Sequence, residues 1–170
     1  DWTSLKEEPE HLIFDYDKWE PGYTRVETLK VVNLGSLALK YRLSIELDAT
    51  TQVNGANGEK LSDVIEVYVV RGETTETAFA DITAAGSEWI YRGTLTEVME
   101  KPTEFLDGQL IPKNAELKGT EPENTAKESQ IVKIALHMKE TAGNEYQALS
   151  VGNVYVNLLA TQFHFKCCQE

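Results

Sequence analysis

The sequence predicts an all-β protein, an antiparallel sandwich of roughly seven strands. Three observations carry that expectation. From Leu39 to Asp48 the chain alternates without error: Leu39, Tyr41, Leu43, Ile45 and Leu47 point one way, and Lys40, Arg42, Ser44, Glu46 and Asp48 the other, the period of a half-buried strand. Val64 to Arg71 (VIEVYVVR) is dense in β-branched residues, as expected of a strand buried on much of both faces. Turn signals separate such runs, with no strand–helix–strand alternation and no internal repeat.

Taken in order, His11 to Asp15 (HLIFD) reads as a short strand. Pro21-Gly22 supplies an opening turn, Thr24 to Asn33 a second strand, and Asn33-Leu34-Gly35-Ser36 a reversal into the third, Leu39 to Asp48; the two strands are expected to pair antiparallel across it. Ala49 to Asp63 holds Asn54-Gly55 and Asn57-Gly58 and reads as a surface loop. Glu73 to Ala85, rich in Thr and Ala, fits either helix or loop. Thr94 followed by Glu97 predicts a capping box opening a short helix through Met99, ended by Pro102. Asp107-Gly108 and Pro112 mark a further turn, and Lys118 to Ser129 is a polar loop. In Ile131 to Lys139, Val132, Ile134, Leu136 and Met138 share one face. Glu140 to Gln147 predicts a turn with a helical turn around Asn144-Glu145-Tyr146, and Val154 to Phe165 closes the framework as a long strand.

A chain of 170 residues is long enough to bury a core without staples and fits one domain. The expected boundaries are an extended segment over 1–10, a sandwich over 11–166 and a tail over 167–170. The formal net charge of −12 opposes phosphate backbones and anionic lipid, so no nucleic-acid partner is expected. No apolar run reaches the length of a membrane-spanning helix. Cys167 and Cys168 are adjacent, with no third cysteine to pair either. A disulfide between neighbours closes a strained ring, which leaves free thiols on a terminal tail or an intermolecular cross-link.

Two blocks at opposite ends of this framework resemble one family. Phe14, Asp15, Asp17, Trp19, Pro21 and Gly22, then Val31 to Tyr41, and finally Ala160-Thr161-Gln162-Phe163 are similar to the FD-x-D-x-W-x-PG, V-x-N-x-G-S-L-A-L-K-Y and A-T-Q-F patterns of the TasA/camelysin proteins. These are secreted biofilm-matrix fibre and cell-surface proteins of Gram-positive bacteria. The resemblance implies a jelly-roll-like sandwich with short helices in the connecting loops and a secretion leader already removed, placing the protein in the extracellular matrix or on the cell surface. It also implies a structural rather than enzymatic role: a head-to-tail homopolymer in which the N-terminal segment of one subunit enters the next as a donor strand, with other matrix or surface components as further partners. The candidate donor is Asp1 to Glu10, extending to Phe14, with Trp2, Leu5, Leu12 and Phe14 as polymerisation anchors. Trp2 and Leu5 are three positions apart, so a regular strand cannot turn both to one side without a bulge.

Two other classes stand beside this one. Camelysin members suggest a surface metallopeptidase, but the H-E-x-x-H pattern is missing; His11, His137 and His164 are spread over three predicted strands and read as ordinary surface or edge residues. No cofactor is expected. Asp15, Asp17 and Asp48 could offer oxygen ligands to calcium, although acids flanking turns are ordinarily just solvated. The aromatic residues Trp19, Tyr23, Tyr41, Tyr68, Trp89, Tyr91 and Tyr155 suit packing within the sheets better than a glycan platform. A monomeric accessory adhesin is the remaining alternative, and the sequence does not separate it from a fibre subunit.

Overall fold

Alternation along the strands sorts the chain into two antiparallel sheets whose inward residues share one hydrophobic core. The computed structural model describes residues 3–4, 12–14, 18–33, 38–48, 50–72, 75–84, 88–101, 109–111 and 129–163. Its strands are β1 (Thr3–Ser4), β2 (Leu12–Phe14), β3 (Thr24–Val32), β4 (Ala38–Leu47), β5 (Ile65–Arg71), β6 (Ile90–Thr94), β7 (Gln109–Ile111), β8 (Ser129–Met138) and β9 (Val154–Phe163). Two short helices, α1 (Phe79–Ile82) and α2 (Leu95–Glu100), sit in the connections. The first sheet runs β1–β9–β4–β7, with β2 also on β9, and the second β3–β8–β5–β6.

The alternation read in the sequence sets the core. Tyr41, Leu43 and Ile45 of β4 are buried, and Leu39 and Leu47 pack against them. Val132, Ile134, Leu136 and Met138 of β8 meet Ile65, Val67 and Val69 of β5 in the same cluster. One polar tie crosses between the sheets: the Tyr41 hydroxyl donates to Gln130 Oε1 at 2.7 Å, which gives a buried phenol the partner it needs. Burial pushes that phenol up from its ordinary value, and Arg71 nearby opposes the shift.

Local signals hold where they were strongest. Tyr23 N–H donates to Glu20 O at 2.9 Å and Gly22 has φ +84°, the geometry of a type II turn with Pro at its second position. Thr94 Oγ1 accepts from Glu97 N–H at 3.3 Å while Glu97 Oε2 accepts from Thr94 N–H at 2.7 Å, so the predicted capping box opens α2. Glu97 is thereby held below the usual carboxylate range, chiefly by the Thr94 backbone N–H. Asn144–Tyr146 forms the expected helical turn. Within Glu73 to Ala85, the described residues contain α1, a single helical turn.

The structure corrects the pairing of the second and third predicted strands. β3 and β4 do not form a hairpin: β3 pairs with β8, whereas β4 pairs with β9 and β7. Both strands are amphipathic with period two, and either arrangement buries the same face, so alternation alone cannot tell a hairpin from a crossing between sheets. Strands β1, β6 and β7 were not expected. They are two, five and three residues long, too short for periodicity to register.

Candidate functional site

The edge of β9 that faces away from β4 is the candidate site. On one side, every residue from Val154 to Phe163 pairs with β4 from Leu47 to Ala38. On the other, β1 pairs Thr3 with Ala160 and Ser4 with Leu159, and β2 pairs Leu12 with Tyr155 and Phe14 with Val154. These two pairings stand in different registers. Seven residues, Leu5 to His11, separate β1 from β2, but only three, Val156 to Leu158, separate their partners in β9. A register shift also falls inside β2, between Leu12 and Phe14.

Among the described residues no strand pairs with Val156 to Leu158 on this edge. Val154 and Ala160, at the paired ends, are buried, while Val156 and Leu158 between them pack on the core yet stay half-buried. A segment paired along this edge gains backbone hydrogen bonds and covers apolar surface together, the two sources of affinity in strand addition.

No protein-family model, curated protein or solved structure matches this chain.

The sequence candidates fall unevenly on this geometry. Leu12 and Phe14 lie in β2, on the β9 edge. Trp2 and Leu5 lie outside the described residues, as do Asp15, Asp17, His11, His164, Cys167 and Cys168. Asp48 has a local structural role: its Oδ1 accepts from the backbone N–H of Thr50 at 2.9 Å and from Thr50 Oγ1 at 2.5 Å. Those bonds, the hydroxyl first, hold its carboxyl below the usual range. Thr51 Oγ1 donates to Asp48 O at 2.9 Å and accepts from Asn153 N–H at 3.0 Å, tying the end of β4 to the start of β9. Gly152 is required in that junction. Its φ is +77°, and a Cβ there would lie 2.6 Å from Thr51 Oγ1 and 3.0 Å from Asp48 O.

His137 departs from the surface or edge position expected of it, because β8 is an inner strand flanked by β3 and β5 and the residue is 1 % exposed. Among the described residues no group of three or more His, Cys, Asp and Glu side chains is placed to hold a metal ion, and no helix is long and apolar enough to cross a membrane. A shallow hollow beside α2, lined by Lys60, Ser62, Thr96 and Glu100 among others, holds hydroxyls already engaged: Thr96 Oγ1 is 2.6 Å from Asp63 Oδ1 and 2.8 Å from Ser62 Oγ. Of the aromatic residues, Tyr41 and Trp89 are buried, Trp19 and Tyr23 meet edge to face at 5.8 Å, and Tyr91 is half exposed. The β9 edge was missed by sequence reasoning. Its one signal was the long C-terminal strand, whose partners only the fold reveals.

Proposed function

We propose that this chain is an extracellular structural subunit that self-assembles into matrix or surface fibres by exchanging its N-terminal strand, as its resemblance to the TasA/camelysin proteins implies. One observation carries the reading: the N-terminal strands lie on the outer edge of β9 in two short, mutually offset registers, above the half-buried Val156 and Leu158. A contact that a chain makes with its own edge can be made equally by the same segment of a second copy. Such a head-to-tail exchange is heterologous and propagates into a filament unless it closes into a ring. In this reading the donor is Asp1 to Glu10, extending through Leu12 and Phe14, and the acceptor is β9.

The sheets are read as a jelly-roll-like sandwich. Strand orders β1/β2–β9–β4–β7 and β3–β8–β5–β6 support this, because chain neighbours β3 and β4 fall in opposite sheets and β8 and β9 take the inner positions, as two interleaved Greek keys require.

Negative-stain electron microscopy and size-exclusion chromatography of the intact chain beside one lacking Asp1 to Glu10 test the proposal. Filaments from the intact chain and monomers from the truncated one are expected. Monomers from both would overturn self-assembly, and filaments from both would overturn the donor role of the N-terminal segment.

A further inference from the structure

A second, smaller apolar cluster lies on the outer face of the β3–β8–β5–β6 sheet. Val70 of β5, Ala135 of β8, Ile82 of α1 and Trp89 are buried in it, with Val26 and Tyr68 packed alongside. Its cover, α1, is one turn long. A helix of that length has no stability of its own, because nucleation costs more than one turn returns. It is held by what it touches: Ile82 enters the cluster, and Phe79 lies flat on the imidazole of His137, ring centroids 3.4 Å apart and planes within 4°. Phe79 also meets the edge of Tyr68 at 5.8 Å. On its other flank His137 shares a hydrogen bond with Thr24, Nδ1 to Oγ1, at 2.8 Å.

We infer that His137 is a pH-sensitive latch that fastens α1 to the sheet, and that protonating its ring frees the helix and uncovers Val70 and Ala135. The closed state holds the imidazole buried, a setting that disfavours a charge. Glu66 on β5 and Glu140 just past β8 act on it, and the elements packed around it also carry Tyr68 on β5, Asp81 on α1, Tyr91 on β6 and, farther along β8, Lys133. β3 contributes uncharged Thr24, while its Arg25–Glu27 ion pair lies on the opposite face, where Arg25 pairs with the core residue Leu136. Glu66 and Glu140 favour the imidazolium and so does the face of Phe79. Burial outweighs the carboxylates, and the ring is held below the ordinary histidine value.

The sign follows. An open state with His137 in water titrates near ~6.5, so opening takes up a proton in the window from there down to the depressed value of the closed state. The latch holds fully above that window and weakens as pH falls through it, the open fraction rising up to about tenfold per pH unit.

The test is amide hydrogen exchange of Ile82 and Thr83, corrected for intrinsic rates, from about pH 7 to about pH 5, with the His137 ring titrated by NMR over the same range. Expected are a His137 midpoint below that of free imidazole, α1 opening that grows up to tenfold per unit, and unchanged protection in the β4–β9 ladder. In His137→Gln the pH dependence is lost. Phe79→Leu removes the stack that pins α1, so the helix opens more readily at every pH and the observed His137 midpoint moves up toward the ordinary value as the open form is populated; it serves if the glutamine variant does not fold. A midpoint at or above the ordinary value, α1 exchange indifferent to pH, pH dependence surviving in His137→Gln, or acid opening of both sheets together would each overturn the latch.

Discussion

Strands β8 and β9 are both ten residues long and both inner strands of their sheets, yet their surroundings differ. β8 is paired with β3 from Ser129 to His137 and with β5 from Val132 to Met138, and Val132 through Met138 is buried except for Lys133. β9 is saturated by β4 on one side and held by two short strands on the other, with Val156 and Leu158 half-buried. A strand satisfied on both edges is a place for stability. Among the described residues no strand partner lies beside Val156 to Leu158 on the second edge of β9, and the more fully buried surface belongs to β8.

The sharpest way to break the comparison is to hollow out each strand. Leu136→Ala on β8 is expected to cost about 3 kcal/mol of unfolding free energy, and Leu158→Ala on β9 only about 1 kcal/mol, since a half-exposed site leaves no sealed cavity. Denaturant titration of both variants checks this, and equal losses would mean that β9 is as well covered as β8. Next in size is Gly152→Ala at the junction leading into β9. Strained backbone and a clash with Thr51 are expected to cost about 2 kcal/mol, read from the same titration; a neutral result would show that the β4–β9 corner is pliant.

Smaller effects separate the two sheets from each other. Tyr41→Phe removes the bond to Gln130 that crosses between them, an expected loss of about 1 kcal/mol. Thr94→Ala, which removes the cap of α2, is expected to cost about 1 kcal/mol, and Glu97→Gln, which cannot ionise, should abolish an acid-dependent fraying of that helix. The sign there is set by Glu97: its pKa is lowered in the folded state, so its contribution is present above the ordinary glutamate value and is lost as pH falls through the depressed one. Amide exchange at Lys101, whose N–H donates to Glu97 O at 3.2 Å, reports it. Fraying that persists unchanged in Glu97→Gln would assign the acid response to another group.

What could be read beforehand depended on how local the cause was. The turn at Pro21-Gly22, the Thr94–Glu97 box, the Asn144–Tyr146 turn and the buried faces of β4, β5 and β8 each rest on residues within a few positions of one another, and the structure bears all of them out. The candidate site was legible only in part. Leu12 and Phe14 drew notice by resemblance, but the β9 edge that receives them is more than a hundred residues away in sequence, and a period-two pattern says which face a strand buries without saying which strand lies beside it. His137 shows the same limit: its neighbours in sequence did not reveal that Thr24 would lie across from it or that Phe79 would cover it.

The sequence by itself therefore determined the strand periods, the turns and caps, the all-β class and a net charge that opposes nucleic acid. Tertiary structure alone decided that β3 and β4 part into different sheets, that the N-terminal strands β1 and β2 lie on the outer edge of β9, and that a histidine is enclosed beneath a one-turn helix. The physical reason is that propensity and alternation act over a few residues, whereas strand partnership, burial of a ring and saturation of an edge are set by which distant segments meet.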